Sequence, residues 1–150
     1  MLNVQITISG DKKITEKLKK MGASFDDWSE TLHSVGDYLM DVYSRQAFDT
    51  EGGILGIRWQ NLSPIYELWK AKHYPGRGIL ERTGALKKGF TMNVQPKRLE
   101  LQNLVKYAYY HQKGKGVPQR QIIGVDSSIK TKIIDYFKIG IHNKLVEALK

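Results

Sequence analysis

At 150 residues the chain can bury roughly 70% of the surface its unfolded form exposes, so a core needs no disulfide or metal staple. The absence of cysteine excludes disulfides, thiolate catalysis and cysteine-bound metal. Its net charge of +9 is lopsided: residues 1–75 hold 9 basic against 10 acidic side chains, and residues 76–150 hold 15 against 5, or −1 and +10. Such a field attracts a polyanion or an acidic protein surface. No stretch approaches the ~20 apolar residues that span a bilayer, and no charged segment leads into an apolar run at Met1. A soluble protein made in a reducing cytoplasm, without membrane contact, is the expectation.

Leu2, Val4, Ile6 and Ile8 alternate with Asn3, Gln5, Thr7 and Ser9, the period of a half-buried strand. Gly10-Asp11 ends it. Asp11 can cap a short helix bearing Ile14, Leu18 and Met21, closed by Gly22. The longest predicted element follows: Phe25, Trp28, Leu32, Val35, Leu39, Val42 and Gln46 recur at spacings of three and four, with Ser24 available as cap. Asp26, Asp27, Glu30, Asp37 and Asp41 lie on its other side, either a solvated face or a contact for a neighbouring copy's basic half.

Residues 49–61 read as a mobile loop holding Gly52, Gly53 and Gly56, punctuated by Ile54-Leu55, Ile57 and Trp59. Those apolar residues find cover in a partner or tuck back under the long helix. Ser63 caps a helix whose first position is Pro64; Ile65, Leu68 and Trp69 are its expected buried side, and His73-Tyr74-Pro75-Gly76 stops it. Ile79-Leu80 starts a short helical turn, and Thr83-Gly84-Ala85-Leu86 is a capped turn with a leucine anchor. Phe90–Val94 and the run of Leu99, Leu101 and Leu104 or Val105 form a hairpin across Pro96-Lys97. Asp126 or Ser127 caps the last helix, along which Ile129, Ile133, Phe137, Ile141, Leu145 and Leu149 trace a stripe widened by Ile134 and Val146, with Gly140 as a kink.

Lys106–Gly124 concentrates the chain's unusual residues. Tyr107, Tyr109 and His111 share one parity, Gly114 and Gly116 can turn sharply, and Pro118 restricts Val117 to an extended shape. The reading is two extended arms joined by a tight loop, adding to the sheet. The tyrosines pack on that sheet or, alternatively, stack on bases. His111 beside Gln112 either hydrogen-bonds across a turn or subunit boundary or acts as a base. Arg120 can clamp a carboxylate within the fold or on an adjacent protein.

Catalytic spacings are missing. There is no phosphate-cradling Gly-x-x-x-x-Gly-Lys-Ser/Thr, no His-Glu-x-x-His and no Gly-x-Ser-x-Gly elbow. His33, His73, His111 and His142 fall on separate elements, and the basic half holds only Glu81, Glu100, Asp126, Asp135 and Glu147 for a nuclease-type metal site. No enzyme, cofactor or metal is expected.

The ordered set Tyr107-Ala108, His111-Gln112, Gly114, Pro118, Arg120 and Gly124 resembles the phage virion morphogenesis family, also called the tail completion family. Upstream, Phe48, the glycine-rich loop, Trp59 with Leu62-Ser63-Pro64, then Leu80, Thr83-Gly84 and Leu86 resemble it in the same order, and Lys70 or Lys72 stands where the family carries a lysine-bearing helix. The likeness runs from Phe25 to Gly124. It implies one α+β domain over residues 1–150, a small antiparallel sheet packed against the long helix and the C-terminal helix. It implies a structural protein of tail completion or head–tail joining, placed at the virion neck as a homo-oligomeric ring. Sixfold symmetry is what a tail suggests. Its neighbours would be the tail tube or terminator and the head–tail connector, met through Trp59, Tyr107, His111, Gln112, Lys113, Lys115 and Arg120. Lys113, Lys115 and Arg120 would face the passage of the ring or an acidic neighbour, and non-specific DNA contact and a bacterial cytoplasm as the site of synthesis go with the same reading. The alternative, carried by the +10 half and its interleaved tyrosines, is a basic nucleic-acid-binding module; a small phage hydrolase centred on His111 is a third reading.

Overall fold

The computed structural model describes residues 2–7 and 25–148. The expected helix between Asp11 and Gly22, its cap, Ser24 and Leu149 lie outside the described residues.

Strand β1 (Leu2–Thr7) follows the period-two pattern, with Asn3, Gln5 and Thr7 exposed and Leu2, Val4 and Ile6 partly covered. The hairpin is β2 (Phe90–Gln95) and β3 (Arg98–Asn103). The sheet is antiparallel in the order β1-β3-β2, so β3 is central. Val4 and Met92 flank Leu101, and Ile6 and Val94 flank Leu99. This register gathers the apolar side chains on one face, because strand side chains alternate between faces. The fold is α+β.

That apolar face meets helix α1 (Ser29–Asp41), which runs on through a π-helical turn (Val42–Gln46) into a last α-helical turn (Ala47–Asp49). Leu32, Val35, Leu39 and Val42 are fully buried along its seam. Gly36 permits the close approach: a methyl there would run into Met92 and lie 3.1 Å from Leu99 Cδ1. The helix begins four residues later than its apolar repeat. Phe25 and Trp28 belong to the core but not to the helix, because the Trp28 N–H donates to Pro96 O (2.7 Å) and its indole N–H to Phe25 O (2.9 Å).

Helix α2 (Pro64–His73) has Pro64 at its first turn, as expected. The segment between α1 and α2 is not the loose loop its glycines suggested. Gly52 and Gly56 take φ of 84° and 86° around a 3-10 turn (Gly53–Leu55). Leu55 and Trp59 fold back into the core and Ile57 faces outward. Ile79-Leu80 forms a tight turn, not helix, with Leu80 at φ 62°. Leu86 anchors the short helix α3 (Ala85–Lys88).

The largest departure is Lys106–Gly124. It adds no strand; β1 supplies the third member of the sheet. Residues Ala108–Lys113 form helix α4, ended by Gly114 at φ 67°, and the rest is irregular chain. Tyr107 and His111 are one helical turn apart and meet edge to face (6.3 Å, 85°), a pairing that strand parity concealed. Tyr107, Tyr109 and Tyr110 are consequently exposed instead of packed on a sheet.

Helix α5 (Ser127–Ala148) is capped by Asp126, whose Oδ1 accepts the Ile129 N–H at 2.8 Å. Its buried stripe is narrower than the sequence implied. Ile129 is buried and Ile133, Phe137 and Leu145 are half-buried, but Ile134, Ile141 and Val146 are exposed. Gly140 sits inside the unbroken helix and marks a close crossing, since a Cβ there would overlap Thr31 of α1.

Candidate functional site

The functional region forms where the chain after α4 returns to the segment before α2. Gln112 controls the return. Its amide oxygen accepts the N–H groups of Ile122 (2.8 Å) and Ile123 (3.1 Å), and its amide nitrogen donates to Ile123 O (2.7 Å). One side chain thus acts as a strand partner for a segment that has none. The Arg120 N–H donates to His111 O (2.8 Å), and the Lys115 N–H to Tyr110 O (3.0 Å). Gly114 is packed so tightly on Gln119 that a Cβ would lie 2.9 Å from Gln119 Cβ.

Held this way, the returning segment grips the other one. The Trp59 indole N–H donates to Gln121 O (2.6 Å) while its ring meets Phe48 edge-on (5.3 Å, 84°). Arg120 reaches back from Nε to Gln60 O (2.9 Å) and from Nη2 to Asn61 O (3.2 Å). Tyr43 donates its hydroxyl to Gly124 O (3.0 Å), and burial raises its pKa far above the usual tyrosine value. Arg120 therefore clamps backbone carbonyls within the fold. Burial, foremost, lowers its pKa.

Helix α2 lies over this junction, inverted relative to its amphipathic pattern. Ile65 is 84% exposed, Leu68 74% and Trp69 40%, whereas Lys70 is 3% exposed. Pro64 starts the helix and Tyr74 ends it, and the side turned inward is the one carrying Lys70. The Lys70 ammonium donates to Gly78 O, and its pKa is lowered chiefly by desolvation, which nearby Glu81 partly opposes. Glu81 itself is committed elsewhere: one oxygen accepts the Gly78 N–H at 3.0 Å and the other pairs with Lys87. On the outer side, Tyr66, Trp69 and His73 stack in sequence (5.5 and 4.6 Å), and Arg82 lies 6.0 Å over the Tyr74 ring.

Between α2 and α4 is a cleft of about 270 Å³ into which Lys70, Arg82, His111 and Arg120 contribute. Tyr66 and Leu80 form part of its wall. No carboxylate of the described residues lines it. The His111 Nδ1 is shielded from solvent and has no hydrogen-bond partner. Burial, then the Arg120 charge, lower the pKa of its imidazole. A buried polar atom without a partner costs about 1–3 kcal/mol, and Leu80 holds a left-handed backbone that costs roughly 1–2 kcal/mol outside glycine. Unrelieved costs of this kind gather where a surface awaits a ligand.

Sequence reasoning assigned Trp59, Tyr107, His111, Gln112, Lys113, Lys115 and Arg120 to contact with partners. The structure brings Tyr107, His111 and Arg120 together in the cleft. Trp59 is 2% exposed and belongs to the core, and Gln112 spends its amide inside the fold. Lys113 and Lys115 project from the end of α4 and the loop after it. Tyr66, Lys70, Leu80 and Arg82 were missed as site residues. Lys70 stands out in the sequence only together with Lys72, as matching the lysine-bearing helix of the resembled family. Among the described residues no cluster of three or more His, Asp or Glu could hold a metal, and no helix is long and apolar enough to cross a membrane.

No curated protein and no solved structure matches the chain. The family model described as the phage virion morphogenesis family matches residues 10–140. That match takes in every element from α1 through most of α5, including both sides of the cleft. The chain belongs to the phage virion morphogenesis family, a structural family, and is a virion-associated phage morphogenesis protein.

Proposed function

We propose that the protein acts in tail completion or head–tail joining, as a subunit of a homo-oligomeric ring at the neck of the virion. The observation that carries this reading is the inverted α2. A helix that turns Ile65, Leu68 and Trp69 to solvent while burying a lysine presents a contiguous apolar, aromatic surface on a morphogenesis protein. Exposed apolar surface of that kind marks a protein contact, and stacked aromatics are the residues that anchor such contacts. The lopsided charge, −1 against +10, supports a head-to-tail arrangement in which unlike surfaces meet around a closed ring. The work done is assembly, and no bond is made or broken.

A phage lacking the protein accumulates full heads and unjoined tails. Leu68→Asp reproduces that phenotype while the purified chain stays folded. Normal joined particles in either case overturn the proposal. Exposed Tyr107, Tyr109 and Tyr110 beside Lys106, Lys113 and Lys115 favour one second reading, nucleic-acid contact at the end of α4. DNA and RNA retention on filters at low and moderate salt decides it, because phosphate-driven binding falls steeply with salt.

A further inference from the structure

We propose that the cleft between α2 and α4 receives the carboxylate of an aspartate or glutamate side chain presented by another virion protein. Lys70 and Arg120 are 3% and 5% exposed, and both line a cleft whose wall carries no acidic side chain of the described residues; Glu81 and Glu51 act on Lys70 from outside it. Donor capacity remains after the internal bonds are counted. Lys70 gives one hydrogen to Gly78 O, and Arg120 uses Nε and Nη2, leaving Nη1. Arg82 stands exposed at the rim and supplies a further guanidinium.

Size and surroundings select the ligand. A cleft of about 270 Å³ lies at the lower end of the ~300–1,000 Å³ of small-molecule sites, and has room for one side chain. A nucleic-acid backbone is met by exposed cations along a track; here the two innermost cations are buried. The rim is apolar and aromatic, with Tyr66 and Leu80 in the wall. The neighbouring surface of α2 is Ile65, Leu68 and Trp69. A carboxylate flanked by apolar side chains satisfies both halves at once. Bidentate, charge-assisted hydrogen bonds in a partly desolvated site give such a contact its strength.

The inference rests on the assembly reading only in taking the partner to be a protein. Its test uses the full chain and blocked tripeptides, acetyl-Leu-Glu-Leu-amide against acetyl-Leu-Gln-Leu-amide, followed by the His111 ring resonances in NMR. The expected result is a saturable shift with the glutamyl peptide and none with the glutaminyl peptide. Arg82→Gln, a rim change that leaves the fold intact, weakens binding about tenfold, the size of one charge-assisted hydrogen bond. Equal binding of the two peptides overturns the proposal, as does tighter binding of inorganic phosphate or of a dinucleotide. Concentration-dependent His111 shifts without peptide would assign the cleft to a second copy and overturn the choice of partner. Peptide binding alongside normal joining in phage lacking the protein would refute the assembly role and leave the cleft standing.

Discussion

Gln112→Leu tests whether one amide holds the returning segment. The substitution shortens the side chain by one atom, leaves it apolar and branched, and removes two acceptor bonds and one donor bond. The Ile122 and Ile123 amides belong to buried residues (0% and 5% exposed), so little water replaces the lost partner. With each stranded buried group costing about 1–3 kcal/mol and each net hydrogen bond about 1 kcal/mol, the expected loss is about 3–5 kcal/mol. Urea unfolding followed by tryptophan fluorescence measures it, with an unchanged m value showing that the unfolded state is the same. Gln112→Glu separates the roles: its carboxylate retains both acceptors but cannot donate to Ile123 O, and the cost falls to about half. Amide exchange at Ile122 and Ile123 accelerates in both variants, more in the leucine one. A loss under ~1 kcal/mol for Gln112→Leu would show that water or a rearranged loop satisfies these amides, and the clamp would be refuted.

Gly140→Ala ordinarily gains about 1 kcal/mol in a helix interior, but here the methyl overlaps Thr31. Overpacking of this kind costs typically 1–3 kcal/mol, so thermal unfolding should show a net loss that Thr31→Ala reverses in the double variant. The His111 pKa is lowered in the folded state. As pH falls from 6.5 towards that lowered value the unfolded chain binds a proton the folded chain does not, so stability declines. His111→Gln flattens that decline, which chemical denaturation between pH 7 and pH 5 measures; an unchanged slope contradicts it. Leu68→Asp, on an exposed site, leaves stability within about 0.5 kcal/mol of the parent while abolishing joining; unfolding would mean the face is covered within the chain.

How much of this could be read beforehand depends on what local pattern encodes. The strand Leu2–Thr7, the hairpin across Pro96-Lys97 and the α1 seam follow from periodicity, because in each case the apolar face is also the buried one. Pro64 and Asp126 announced their helix starts through backbone and capping chemistry. Periodicity failed at α2 for a physical reason: it locates an apolar face but not the side on which the rest of the chain lies. At Lys106–Gly124 strand parity and a helical turn competed for the same residues. Tyr107 with His111 and the glycine at position 114 were the helix's own signals, an i,i+4 pair and a left-handed C-terminal residue. Gln112's role was not legible, since its partners lie ten and eleven residues on and depend on the loop first closing.

Lys70 links the packing of α2 to the cleft. A buried ammonium bonded to one carbonyl, with no carboxylate in ion-pair range among the described residues, is an expensive way to fill a core position. Methionine has a similar length and no charge. Lys70→Met loses the bond to Gly78 O and gains relief from desolvation, so stability at neutral pH should remain within about 1 kcal/mol of the parent or rise. The pH dependence gives a second check. Because the folded pKa lies below 10.5, stability of the parent rises with pH between the lowered value and 10.5, where the unfolded chain alone keeps the proton. The methionine variant lacks that rise. Binding of the glutamyl peptide should disappear in the same protein. A chain that tolerates the loss of its buried lysine yet no longer recognises a carboxylate keeps that lysine for its ligand. A loss above ~2 kcal/mol with peptide binding retained would instead make Lys70 a structural post between α2 and Gly78.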